Sequence, residues 1–213
     1  MSAPVRIKIC GITRLQDALA AAALGVDAVG FVFYQKSPRY ITPDRAAEII
    51  LRLPPFVSTV GLFVNAEQVM VDAVLADCPI DVLQFHGDEM PSFCRQQHRR
   101  VIKAVAVSDV TDLAKADKYD CPVLLDAKAP EGVYGGSGRT FDWSMLECFT
   151  HTGPVILAGG LNERNIRAAL NIRQYHAVDV SSGVESSPGI KSVEKMRRFT
   201  ACVGEFNLQR EQK

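Results

Sequence analysis

Short apolar runs alternate with helix-like segments eight times along this chain, and that alternation limits the possible folds more than any other feature. The runs cover residues 5–10, 28–33, 58–64, 81–84, 101–105, 123–126, 155–158 and 177–180. Each is short, rich in β-branched residues and bounded by turn formers, which is the pattern of a strand. Helical spacing of apolar residues places helices near 15–24, 43–52, 66–75, 90–98, 111–116, 143–148, 163–171 and 192–203. Strands joined by helices favour a parallel sheet, because a parallel connection must cross the sheet face. Eight such units in 213 residues predict an α/β fold, a single-domain (β/α)8 TIM barrel over residues 1–206. A polar tail, 207–213, is expected to fray. A doubly wound open sheet would show the same alternation, since alternation does not show closure.

Local signals fit these boundaries. Gly25 suits the C-terminal end of the first helix, and Pro54-Pro55 stops the second. Thr42-Pro43 has an N-cap type followed by proline at the first helical position, and Asn162 precedes the seventh helix as a cap.

Composition narrows the partners. Lys plus Arg and Asp plus Glu number 24 each, and no basic cluster stands out. That balance argues against nucleic acid and anionic membrane as partners. No apolar stretch approaches the ~20 residues of a membrane span. The six cysteines, at 10, 78, 94, 121, 148 and 202, form no C-x-x-C pair. With no leader-like segment, they read as reduced thiols of a cytoplasmic protein, with no zinc or redox motif among them.

In a barrel the chemistry sits where strands end and helices begin. The first strand, in "RIKICGIT", turns Val5, Ile7 and Ile9 toward the helices and Arg6, Lys8 and Cys10 toward the interior. Cys10 falls at the rim, and the Lys8 ammonium on the same face favours a thiolate, lowering the pKa from its reference of ~8.5. Such a thiol is a base, nucleophile or ligand; the alternative is a small core residue. The sixth strand ends in Asp126, where desolvation raises a carboxyl above its ~3.9 reference as a general acid needs. A helix cap or a salt bridge with Lys128 is the plainer reading.

The stretch "AKAPEGVYGGSGRTFDW" that follows is about fifteen residues with four glycines, long enough for a lid. The seventh and eighth strands end in "LAGGLNERN" and "VDVSSGVE". Barrels frequently bind phosphate there, and Gly159, Gly160, Ser182 and Gly183 allow a ligand close to backbone amides. Arg39, after the second strand, matches a carboxylate in bidentate geometry or is simply a solvated arginine. His86, after the fourth, serves acid–base chemistry or a structural hydrogen bond.

The ordered set "KICGIT", "GFVFYQKSPRYI", "VGLFVN", "LQFHGDE", "LLDAK", "GGSGRTFDW", "LAGGLNERNI" and "VDVSSGVESSPGIKS" is similar to the phosphoribosylanthranilate isomerases of tryptophan biosynthesis. It runs from Lys8 to Ser192, nearly the whole chain. The resemblance implies an Amadori rearrangement of N-(5-phosphoribosyl)anthranilate, with Cys10 as general base and Asp126 as general acid. It implies that Arg39 holds the anthranilate carboxylate, that Gly159, Gly160, Ser182 and Gly183 hold phosphate, and that His86 and Asp179 lie near the substrate without an assigned role. The partner it implies is this small molecule, on a monomer or homodimer. Phe85 stands where the family usually has leucine, a swap that keeps apolar character. The phosphate turns alone would equally suit another sugar-phosphate isomerase or epimerase, or a barrel that only binds a phosphate ligand.

Overall fold

A computed structural model of the chain describes residues 3–128, 138, 140–147 and 149–212. Eight strands, β1 (Arg6–Cys10), β2 (Ala28–Val32), β3 (Ser58–Phe63), β4 (Val82–Phe85), β5 (Arg100–Val107), β6 (Val123–Ala127), β7 (Val155–Leu157) and β8 (Ala177–Val180), form a closed parallel barrel. β8 pairs back onto β1, with Lys8 opposite Asp179, so the open-sheet alternative is excluded. Side chains alternate across the barrel wall. Val60, Val82, Ile102, Leu124 and Ile156 fill the interior. Ile7, Ile9, Val29, Leu83 and Val178 face outward and pack under the helices. Burial of that outer layer holds the helices to the sheet.

The helices are α1 (Leu15–Ala23), α2 (Pro43–Ile50), α3 (Gln68–Asp77), α4 (Pro91–Arg95), α5 (Val110–Leu113), α6 (Ile166–Leu170) and α7 (Val193–Glu211). α6 is shorter than the segment expected at 163–171. Asn162 Oδ1 accepts from Arg164 N at 2.9 Å and Asn165 Oδ1 accepts from Asn162 N at 2.8 Å. The Asn162 bond is of the N-cap type, and the turn it opens leads into α6, where Asn165 is the residue before the first helical one. The segment expected as a helix at 143–148 is a short 3₁₀ turn, Trp143–Leu146, and Cys148 lies outside the described residues.

Two further differences are structural additions. A hairpin of β9 (Glu185–Ser187) and β10 (Ile190–Lys191) follows the barrel. The tail expected to fray is helical through Glu211, because it is tied down. Asn207 Oδ1 accepts from Val5 N at 2.8 Å, and its Nδ2 donates to Val5 O at 3.0 Å. Among the described residues no helix is long and apolar enough to cross a membrane.

Candidate active site

The carboxyl ends of the strands surround a cavity of about 230 Å³. Cys10 reaches it from β1, Asp126 from β6, Asp179 from β8, and Arg39, His86, Gly159, Gly160 and Ser182 from the loops after β2, β4, β7 and β8. Every candidate catalytic or binding residue named from the sequence therefore lines one space except Gly183, while Lys8 and Lys128 do not line it. Gly183 stands behind it, where a Cβ would lie 1.8 Å from Leu161 O. Its lack of a side chain lets the loops after β7 and β8 touch.

Cys10 is buried, and burial pushes its thiol above the ordinary range. The Lys8 ammonium pulls it back down, Asp179 pushes it up, and Lys191 pulls it down. The expected lowering by Lys8 is thus present but outweighed, since desolvation of a sulfur anion inside a barrel costs more than one neighbouring cation returns. Lys8 is itself committed: its Nζ lies 2.8 Å from Asp179 Oδ1. Burial works against the charged lysine, but Asp179 and then Cys10 more than offset it and hold its pKa above the usual value.

Asp126 pairs with His86 rather than Lys128: its Oδ2 lies 3.0 Å from His86 Nε2, and its Oδ1 accepts from Ala127 N at 2.9 Å. Gln84, fully buried on β4, places its Nε2 3.0 Å from His86 Nδ1. Gln84 and Asp126 thus hold the His86 ring from its two nitrogens and fix its orientation. Below this row, Lys103 and Glu89 form a buried pair at 3.1 Å. Lys103 Nζ donates to Gly87 O at 2.6 Å, while Glu89 accepts from Gly87 N at 2.9 Å. The turn beyond His86 is held from both sides.

Arg39 is a buried residue, not a solvated one. Its Nε donates to Glu185 Oε1 and its Nη2 to Glu185 Oε2, each at 2.8 Å. Lys191 Nζ donates to Glu185 Oε1 at 2.7 Å. Burial acts to raise the Glu185 pKa, but Arg39 and Lys191 together hold it below the usual carboxylate value. Arg39 reaches this position across Gly11, whose Cβ would lie 2.5 Å from Arg39 Cδ. Gly11 also has φ +77, so both backbone and space call for glycine after the cysteine.

Gly159 and Gly160 take φ values of 85 and 63. A Cβ on Gly159 would meet Ala127 N at 2.6 Å and Asp126 Oδ1 at 3.2 Å, so the turn after β7 lies directly against the acid. Gly160 O accepts from Asn165 Nδ2 at 2.9 Å, which fixes the turn. In the "GGSG" stretch only Gly138 falls among the described residues, and the rest, like most of the proposed lid, lies outside them.

Sequence reading missed Glu185, Lys191, Gln84 and the Lys103–Glu89 pair. The motif "VESSPGIKS" carries the first two, but nothing local says that they meet Arg39.

A closed eight-stranded parallel barrel with ionisable groups converging on one mouth defines the class: a (β/α)8-barrel enzyme. The model of one family, N-(5'-phosphoribosyl)anthranilate (PRA) isomerase, matches residues 7–201. N-(5'-phosphoribosyl)anthranilate isomerase of Acidithiobacillus ferrooxidans is 56% identical over 202 residues, covering 93% of this chain and 97% of its own. Phosphoribosyl anthranilate isomerase from Thermotoga maritima superposes with a TM-score of 0.87 at 46% identity, covering 94% of this chain and 99% of that one. A further solved isomerase, in complex with reduced 1-(o-carboxyphenylamino)-1-deoxyribulose 5-phosphate, gives 0.84 at 42% identity with the same coverage. The chain belongs to the phosphoribosylanthranilate isomerase family.

Proposed function

We propose that this protein converts N-(5'-phosphoribosyl)anthranilate to 1-(2-carboxyphenylamino)-1-deoxyribulose 5-phosphate, with Asp126 as general acid and Cys10 as general base. The observation that carries the reading is that both groups line one cavity with Arg39 and the glycine turns after β7 and β8. Asp126, protonated, donates to the ribose ring oxygen, and the ring opens to an iminium at the first sugar carbon. Cys10, as thiolate, takes the proton from the second carbon. Its electron pair moves to the iminium, giving an enolamine that tautomerises to the ketone. The iminium is the electron sink, so the chemistry asks for no further cofactor.

The supporting groups fit these steps. His86 orients the Asp126 carboxyl from 3.0 Å. Glu185 holds the Arg39 guanidinium at the cavity wall, where it is suited to the anthranilate carboxylate. Gly159, Gly160 and Ser182 also line the cavity and are suited to the phosphate. Gly183 contributes by letting the two loops close together. Asp179 also faces the cavity.

The test follows loss of phosphoribosylanthranilate fluorescence. Cys10→Ala and Asp126→Asn are each expected to cut kcat at least about a hundredfold while folding normally. Near-normal turnover in either variant removes that residue's role. Arg39→Ala is expected to raise KM, and an unchanged KM removes the carboxylate assignment.

A further inference from the structure

We infer that Lys8 is the positioning cation of the thiol base: clamped by Asp179 across the β1–β8 seam, it faces the Cys10 sulfur over a space that Gly30 keeps open. This rests on the reading of Cys10 as the base and adds what makes that base usable.

Three observations converge. Lys8 and Asp179 are opposite one another in the strand register, both are buried, and their charged atoms lie 2.8 Å apart. Lys8 and Cys10 project from the same face of β1. Gly30, opposite Cys10 on β2, completes the arrangement: a Cβ there would lie 2.9 Å from Cys10 Sγ and 3.1 Å from Lys8 Nζ. The sulfur and the ammonium thus converge on one point, and only a residue without a side chain leaves that point empty. The φ of Gly30 is not in the left-handed region, so backbone conformation does not require glycine there.

The chemical need is plain. A sulfur buried among apolar side chains is a thiol at neutral pH, and a thiol takes no proton from carbon. A fixed cation beside it lowers the pH at which thiolate forms. Lys8 can serve because Asp179 keeps it protonated in spite of burial. The charged groups acting on Cys10 are Lys8 from its own strand, Asp179 from β8 and Lys191 from β10. Of the two cations Lys8 acts on the sulfur more strongly than Lys191, and Asp179 opposes ionisation, which leaves Lys8 as the principal support.

The experiment measures the rate at which iodoacetamide labels Cys10 as a function of pH, read on the Cys10 peptide by mass spectrometry and normalised to its high-pH plateau. In Lys8→Met the midpoint is expected to rise by at least about one pH unit, a tenfold loss of thiolate at neutral pH. kcat is expected to fall by at least about tenfold with KM within about twofold. Lys8→Met strands the Asp179 carboxylate, so two companions guard against misfolding. Lys8→Met/Asp179→Asn removes both charges, and Gly30→Ala keeps every charge but separates sulfur from ammonium. Both are expected to raise the midpoint. An unchanged midpoint in the folded double variant and in folded Gly30→Ala overturns the inference. Full turnover by Cys10→Ala would instead overturn the base assignment, while leaving the shifted labelling midpoint intact.

Discussion

Glu185 shows how a single residue can tie the site together. It is buried, yet it pairs with two cations, and both of its oxygens are used by Arg39. Replacing it by glutamine would leave Arg39 and Lys191 facing each other without an anion. Breaking a buried pair in this way costs about 3 kcal/mol or more. Because its folded pKa is depressed below 4.5, its contribution is complete above that unfolded value and is lost as pH falls through the folded one. Urea unfolding of wild type and Glu185→Gln should therefore differ by a constant amount near neutrality. The gap should narrow as pH drops below about 4.5. A gap independent of pH would show that the carboxylate charge is not what stabilises the network. None of this is legible locally, since Glu185 and Arg39 are 146 residues apart.

At the scale of elements, alternation located all eight strands with boundaries within one or two residues, because strand periodicity is a property of neighbouring positions. Helix ends were less legible. Asn162 and Asn165 bond within a turn that precedes α6, so the helix proper starts only at Ile166. The C-terminal helix went the other way. A polar run looks like a fraying tail until Asn207 is seen to bond both backbone groups of Val5. Asn207→Ala should destabilise the protein by about 1 kcal/mol, the net worth of lost partly buried hydrogen bonds less the better helix propensity of alanine. Equilibrium urea unfolding measures it, and an unchanged midpoint would mean the contact contributes nothing. The same contact ties the last helix to the start of β1 rather than leaving it an appendage.

At the scale of the whole molecule, closure leaves the barrel without a first or last strand. β1 and β8 pair as any neighbours do, and Asn207 brings the chain ends together. The loop before β3 lies at the opposite end from the catalytic mouth, and there Phe56 is fully exposed with φ 73, a costly conformation for a residue with a Cβ. A circular permutant that joins the ends by a short Gly/Ser linker and opens between Pro55 and Phe56 should fold and keep turnover within about threefold of wild type. Loss of the folded state would show that chain order, not only closure, holds the barrel.

The sequence by itself determined the alternation of strands and helices, the side of the first strand that faces the interior, and the placing of Cys10 and Asp126 at strand ends. These follow from short-range periodicity and from backbone bonding rules that act between near neighbours. Only the tertiary structure decided that the sheet closes, that His86 and not Lys128 meets Asp126, that Glu185 holds Arg39, and that burial outweighs Lys8 in setting the Cys10 thiol. Desolvation and ion pairing depend on which distant residues arrive together, as with Lys8 and Asp179, 171 positions apart, and no local pattern encodes that meeting.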